Sequence, residues 1–145
     1  MKDVERTITT AAPLERVWAY LTDFTNAVEW DPPTQRCERL SGDGGVGTTY
    51  RNVSSMAGKD VEIEYTVTEH EPLQRFRLQG TATGMGLLDT ITFQGGPEGT
   101  TVTYRAEFQP QGVAKLAEPL LPLGMEKLAD STEDQMRTCL ARLAA

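Results

Sequence analysis

The sequence is poor in histidine and cysteine, and it contains no long apolar run. Its single histidine, His70, is expected at a solvated turn before Pro72, which leaves metal binding without ligands and serine-type hydrolysis without a base. Cys37 and Cys139 have no zinc spacing, so we expect two reduced, buried thiols in a cytoplasmic protein. No apolar stretch approaches the length of about 20 residues that spans a bilayer. The composition therefore predicts no metal, no cofactor and no membrane insertion.

Positive charge is also scarce. The sequence has 14 Lys and Arg residues against 21 Asp and Glu residues, so its formal net charge is -7. This balance argues against nucleic acid, whose phosphates require clustered lysine and arginine. A length of 145 residues with 39% hydrophobic residues is typical of one soluble globular domain, and we assign residues 1–145 to it. We expect a monomer or a weak homodimer.

The C-terminal segment, from Val113 to Ala145, has the pattern of a long helix. From Met125 onward, apolar residues recur at spacings of three and four, while charged residues fall on the opposite face, where we expect them to be solvated. The apolar stripe consists of Met125, Leu128, Ala129, Met136, Cys139, Leu140 and Leu143. Pro119 and Pro122 each remove a backbone donor, so we expect a kink or two helical pieces in this region.

The rest of the chain has the pattern of one strand, two short helices and then six strands joined by tight turns. Residues 3–10 alternate as a first strand, and the run from Pro13 to Asp31 holds the two short helices. From residue 34 to residue 110, alternating segments are separated by glycine-rich turns, which predicts an antiparallel sheet with one buried face. The long helix has to cover that face, because neither layer buries its apolar side alone.

Several short motifs are similar to those of one protein family. They are Val17-Trp18, Leu21-Thr22-Asp23-Phe24, Trp30-Asp31-Pro32, Gly45-Val46-Gly47-Thr48, Val67-Thr68-Glu69, Glu71-Pro72 and Gly99-Thr100-Thr101-Val102. With them, the whole chain resembles the polyketide cyclase/dehydrase branch of the START-like (SRPBCC, birch-allergen-like) superfamily. The resemblance implies an α+β helix-grip fold, in which a curved antiparallel seven-stranded sheet wraps around a long C-terminal helix, with two short helices after the first strand. It also implies an apolar cavity between sheet and helix.

The strand pattern points to polar residues that share the inner face of the sheet. Strict alternation places Tyr65, Asp89 and Tyr104 there with the apolar residues. Two interpretations of Asp89 stay open, because an inward carboxylate has to be neutral, paired or at a wet mouth, whereas a bulge would turn it outward. Arg51 and Arg105 are its conceivable partners, although alternation puts Arg105 on the outer face.

No set of residues stands out as a catalytic site, so the candidates are ligand-binding residues. Such a cavity would be lined by the inner sheet face and the helix, with Trp30 at its rim. The candidates are Trp30, Tyr65, Phe76, Met85, Asp89, Ile91, Tyr104, Phe108, Leu121 and Met125. An empty cavity of about 300 Å³ would cost roughly 7 kcal/mol at about 24 cal/mol per Å³. We therefore expect the cavity to be smaller, hydrated or occupied.

Two functions are compatible with this picture. The first is binding of a hydrophobic small molecule, such as a lipid, polyketide or aromatic metabolite, between the sheet and the C-terminal helix. The alternative is a polyketide cyclase, aromatase or dehydratase that acts on a poly-ketone chain in the same cavity. That alternative needs an acid/base pair, and the sequence offers only Asp89, Tyr65, Tyr104 and Arg51 for it. We therefore favour binding, and a protein-interaction domain is the third interpretation.

Overall fold

The computed structural model describes residues 2–56, 58–110 and 121–144 of the chain. These residues form seven strands, a 3-10 turn at Phe24–Asn26 and three α-helices. The strands are β1 (Lys2–Thr10), β2 (Thr34–Ser41), β3 (Thr49–Met56), β4 (Lys59–Glu71), β5 (Arg75–Ala82), β6 (Met85–Gly96) and β7 (Gly99–Pro110). The helices are α1 (Leu14–Thr22), α2 (Ala27–Trp30) and α3 (Leu121–Arg142). This order of elements confirms the predicted α+β architecture.

The described strands form one antiparallel sheet in the order β1-β7-β6-β5-β4-β3-β2. From β2 to β7 each strand pairs with the next along the chain, while β1 returns to pair with β7. The turn into β7 requires glycine at position 99, where φ is 136°. A Cβ at Gly99 would collide with the carbonyl oxygen of Thr10, so only glycine lets the ends of β1 and β7 approach this closely.

The main core lies between the inner face of the sheet, α1, α2 and the second half of α3. Met136 and Leu140 of α3 are fully buried in it. Trp18 of α1 packs edge-on against Phe76 and Phe93, with ring centroids 6.5 and 4.9 Å away. A smaller apolar cluster joins the first half of α3 to β1 and β7, and it consists of Val4, Ala106, Met125 and Ala129. One part of the inner face is therefore covered by α1, α2 and the second half of α3, and another part is covered by the first half of α3.

The last helix begins earlier than the apolar stripe predicts, at Leu121 and not at Met125. Pro122 lies in its first turn, where a backbone N–H would have no intrahelical partner, so the helix tolerates it. The predicted upstream segment, residues 113–120 with Pro119, lies outside the described residues. None of the described helices is both long and apolar enough to cross a membrane.

His70 lies in a strand and not in a solvated turn, so that prediction is wrong. The register between β4 and β5 shifts between Val67 and Glu69, where β4 holds an extra residue. This bulge reverses the alternation, so His70 pairs with the buried Phe76, and its ring lies 5.2 Å from that of Trp18. An alternating sequence pattern does not reveal such a bulge.

Leu140→Ala is expected to lower the free energy of unfolding by about 2–5 kcal/mol, because the fully buried side chain leaves a void when it is truncated. Chemical denaturation of the purified variant measures the loss. The matched control is Leu40→Ala, at a position that is 43% exposed, where a change of about 0.5 kcal/mol or less is expected. Equal losses at the two positions would mean that α3 does not pack into the core.

Candidate functional site

A cavity lies between the first half of α3, the inner face of the sheet and the loop after α2. The volume open to the centre of a water molecule is about 40 Å³. That is room for a few water molecules, each of which needs about 10–15 Å³ by this measure. The described lining consists of Val4, Asp31, Pro33, Ser54, Tyr65, Leu87, Asp89, Tyr104, Ala106, Phe108, Met125, Leu128, Ala129 and Thr132. This described lining contains no lysine, arginine or histidine.

The cavity brings together only part of the predicted ligand-binding set. The predicted residues found in its lining are Tyr65, Asp89, Tyr104, Phe108 and Met125. Trp30, Phe76, Met85 and Ile91 are not in the described lining. Leu121 begins α3, but its side chain lies outside the part of the chain that the structure describes.

The short helices explain why some predicted residues do not reach the cavity. Phe76 and Ile91 do face inward, but they are fully buried in the main core, on the part of the sheet that α1 covers. Trp30 is 1% exposed and is not at a rim. Its ring packs edge-on against Tyr104, with centroids 5.7 Å apart, and its indole N–H has no hydrogen-bond partner among the described residues. Trp30 therefore supports a cavity-lining ring without lining the cavity itself.

Asp89 lies on the inner face of β6 and is 5% exposed, so the outward orientation is excluded. The hydroxyl of Tyr104 donates a hydrogen bond to its carboxyl. Arg51 and Arg105 form ion pairs with other acidic residues and do not reach it. Burial, reinforced by the negative charge of Asp31, raises the pKa of Asp89 to about 8.

Asp31 also lines the cavity, although the strand pattern does not point to it. It lies in the loop after α2, where the backbone N–H of Thr34 donates to the Asp31 carbonyl at 3.0 Å and closes a turn. Its carboxylate accepts hydrogen bonds from the hydroxyl of Thr34, at 2.6 Å, and from Thr132 of α3. Burial of the carboxyl raises the pKa of Asp31 to about 6, although the two hydroxyls act in the opposite direction.

A chain of hydrogen bonds runs from Ser54 to Asp31. Ser54 Oγ donates to Asn52 Oδ1 at 2.5 Å, and Asn52 Nδ2 donates to Thr34 Oγ1 at 3.0 Å. Thr34 then donates to Asp31. Every donor points toward the carboxylate, so the chain favours its ionised form. The alternation of Asn52 and Ser54 with the buried Tyr50 on β3 is the sequence signal that could have revealed this polar part of the inner face.

Tyr65 of β4 is 6% exposed and lines the cavity. Its hydroxyl makes no hydrogen bond to any described residue, and burial raises the pKa of Tyr65 well above its ordinary value. The hydroxyl therefore keeps its proton. Gly80 lies opposite Tyr65 on β5, and a Cβ there would come within 2.7 Å of the ring. Glycine at this position provides the space that the ring occupies.

Arg6 joins β1 to the first half of α3 through three carboxylates. Its Nη2 atom lies 2.6 Å from Glu126 Oε2 and 3.0 Å from Asp130 Oδ1, and its Nε atom lies 3.5 Å from Glu133 Oε1. These acidic residues recur at spacings of four and three, so they share one face of the helix. Glu126 and Asp130 are mostly exposed, as expected of this charged face, whereas the Glu133 side chain is 25% exposed. We call Arg6 and these three residues the Arg6 latch.

The arrangement combines apolar contact surface with side chains that can exchange protons. It offers two carboxyl groups with raised pKa values and two neutral phenol groups, from Tyr65 and Tyr104. The described residues include no group of three His, Cys, Asp or Glu side chains that could hold a metal ion.

Comparison with known proteins identifies the family. The model of the family described as polyketide cyclase / dehydrase and lipid transport matches residues 1–145, so the chain belongs to this family. Among solved structures, the Zhui aromatase/cyclase from Streptomyces sp. R1128 is similar with a TM-score of 0.84 and 18% identity, over 99% of this chain and 96% of that one. A protein from Thermus thermophilus has a TM-score of 0.78 and 21% identity, over 99% and 98% of the two chains.

A START superfamily protein from Mycobacterium smegmatis is also similar, with a TM-score of 0.72 and 15% identity over 94% of this chain and 98% of that one. At such identities the likeness establishes the fold, which is the predicted helix grip. No curated protein matches the chain.

Asp89→Asn is expected to stabilise the protein near pH 7. A folded-state pKa of about 8 against an ordinary value of 3.8 means that folding opposes ionisation, so the free energy of unfolding decreases as pH rises between these values. Asparagine removes this decrease, with a gain near pH 7 on the order of 1–3 kcal/mol. Urea denaturation near pH 4 and near pH 7 measures it, and the gain should shrink at the lower pH.

The control for this substitution is Asp60→Asn, at an exposed position of β4, for which a change within about 0.5 kcal/mol is expected at both pH values. If Asp89→Asn gave no gain, or a gain independent of pH, the Asp89 carboxyl would have to be exposed to water or paired with a cation.

Proposed function

We propose that the protein binds a neutral hydrophobic small molecule in the cavity under the first half of α3. The observation that carries this proposal is the character of the described lining, which combines apolar side chains with two carboxyl groups and no cation. Val4, Leu87 and Phe108 offer apolar contact, which is favourable in proportion to the area removed from water. A ligand carboxylate would instead face Asp31 without a positive charge to balance it.

Binding requires the cavity to enlarge, because small-molecule sites measure about 300–1,000 Å³. The small volume of about 40 Å³ agrees with the energetic expectation that a large empty cavity would be too costly. The second half of α3 is fixed in the main core, whereas the first half covers the cavity with Met125 and the partly exposed Leu128. We infer that this first half moves outward when a ligand enters or leaves and that the Arg6 latch otherwise holds it over the cavity.

A second candidate function is cyclase-type catalysis on a poly-ketone chain in the same cavity. One structural observation supports this candidate more strongly than the sequence did. Asp31 supplies the second acid/base group that the strand pattern lacks, and it lines the cavity together with Asp89. Arg51, which the sequence offered for this role, does not take part, because it pairs with Glu38 and Glu62.

A matched pair of ligands tests the binding proposal. A flat ligand that buries about 300 Å² would gain roughly 7 kcal/mol before association costs, which limits its affinity to the micromolar range or weaker. We expect 2-naphthol to bind in this range and 2-naphthoate to bind at least about tenfold more weakly. NMR titration of the backbone amides measures both affinities. Equal affinity for the two compounds would contradict a cation-free site.

A cavity-filling variant locates the bound compound. Ala106 is 5% exposed and lines the cavity, so Ala106→Leu is expected to weaken 2-naphthol binding by about tenfold or more. Ala19→Leu, on the exposed side of α1, is the matched control and should leave the affinity unchanged. Binding of 2-naphthol by Ala106→Leu as tight as by Ala19→Leu would place the ligand elsewhere.

Arg6→Gln is expected to raise the rates of ligand entry and release, because it removes the ion pairs that hold the first half of α3 to β1. Pairs of this exposure contribute about 0.2–1 kcal/mol each, so a several-fold change in both rates is expected. NMR lineshapes in the 2-naphthol titration measure the rates. Arg51→Gln is the matched control, since Arg51 pairs with Glu38 and Glu62 within the sheet and not with α3. Unchanged rates in Arg6→Gln would mean that entry does not involve this part of α3.

A further inference from the structure

The cavity has two carboxyl groups with different surroundings in one lining. Asp31 accepts hydrogen bonds from the hydroxyls of Thr34 and Thr132. Asp89 accepts one from Tyr104 and otherwise lies on the apolar inner face of β6. In the described part of the chain, neither carboxyl has a cationic partner. Hydrogen-bond donors favour the ionised form of a carboxyl, whereas apolar surroundings favour the protonated form.

The pKa values agree with these surroundings, at about 6 for Asp31 and about 8 for Asp89. Between these values Asp31 is a carboxylate that can accept a proton, and Asp89 is a carboxylic acid that can donate one. Two titratable groups whose surroundings separate their pKa values in this way are typical of general acid–base sites.

Tyr65 is an independent observation that points to a ligand. Its side chain is more than nine-tenths buried in the lining of the same cavity, and its hydroxyl has no hydrogen-bond partner among the described residues. The hydroxyl is therefore available to donate a hydrogen bond to a ligand oxygen in the cavity. Because Gly80 has no side chain, it leaves the space that this ring occupies.

From this geometry we propose that the cavity catalyses keto–enol proton transfer on a neutral ketone, an activity that deepens the proposed binding function and rests on it. The ketone oxygen accepts hydrogen bonds from Tyr65 and Asp89, which stabilise the charge that develops on it. The Asp31 carboxylate removes a proton from the carbon next to the carbonyl.

The step is balanced within the cavity. The electron pair of the broken C–H bond forms the C=C bond, the carbonyl π pair moves to the oxygen, and the oxygen takes the proton of Asp89. The products are the enol, a protonated Asp31 and an ionised Asp89. The reverse step restores both carboxyl groups, so the reaction needs no oxidant, reductant or further reactant.

Deuterium exchange into 2-tetralone, a neutral two-ring ketone, tests the proposal. In D₂O the protein is expected to accelerate the loss of the α-proton NMR signals in a saturable manner. Asp31→Asn should lower the rate at saturating ketone by about 100-fold, the contribution of one acid–base group, while the ketone affinity changes little. Tyr65→Phe should also lower the rate, since the ring remains and the donor is lost. Asp60→Asn, at an exposed position, is the matched control and should keep the full rate.

The pH profile separates an acid–base role from a structural one. The exchange rate should rise near pH 6, where Asp31 ionises, and fall near pH 8, where Asp89 ionises. Asp89→Asn should exchange more slowly and lose the fall at high pH, because an amide cannot ionise.

Three other titratable groups act on this pair, namely Tyr65 of β4, Tyr104 of β7 and Cys37 of β2. Burial raises the pKa of each of them, to about 12 for Cys37. They therefore stay neutral between the rise of the exchange rate near pH 6 and its fall near pH 8. The described lining from β1 and α3 carries no titratable side chain.

The outcomes distinguish this proposal from the binding function. Saturable exchange that depends on Asp31 and Tyr65, with both pH limbs, supports it. Binding of 2-tetralone without accelerated exchange, or exchange at the full rate in Asp31→Asn, overturns it and leaves the binding function intact. Absence of 2-tetralone binding overturns it together with the proposal that the cavity takes neutral ketones.

Discussion

The contact between the second half of α3 and the main core is the interaction on which the rest of the structure depends. Met136 and Leu140 are fully buried there, so this half of the helix is fixed by apolar packing. The first half is held by a smaller apolar cluster and by ion pairs from Arg6, which are weaker because water reaches the carboxylates. A helix that is anchored firmly at one end and loosely at the other can cover a cavity without filling it.

The two buried carboxyl groups of this cavity act against the stability of the fold. Two buried carboxyl groups without a cation reduce the free energy of unfolding at neutral pH, because ionisation is easier in the unfolded chain. Apolar residues at positions 31 and 89 would avoid this cost. The hydrogen-bond chain from Ser54 to Asp31 lessens it on one side, since it satisfies Asn52 and Thr34 together with the carboxylate. Such a compromise is typical of sites whose side chains serve a ligand or a reaction.

The sequence was most informative where one strand period applies without interruption. Tyr104 could be assigned to the inner face because alternation continues through β7, whereas the sequence left Asp89 open between the inner face and an outward orientation at a bulge. The same rule fails for His70, because a bulge in β4 inserts a residue that no pattern marks. The alternation rule predicts nothing about Asp31, because this residue lies in a loop without a repeating pattern. Phe76 was assigned to the correct face but not to the correct surroundings, since only the tertiary structure shows that α1 covers it.

The topology has a consequence for how the molecule folds. Strands β2 to β7 pair with their neighbours in sequence, whereas Arg6 and Asp130, which join β1 to α3, are 124 residues apart. Contacts of long sequence separation form slowly, because a long loop has to close before any interaction compensates for its lost entropy. The meander can therefore assemble before its two flanking elements dock. The lining of the cavity is therefore complete only when α3 has docked against β1.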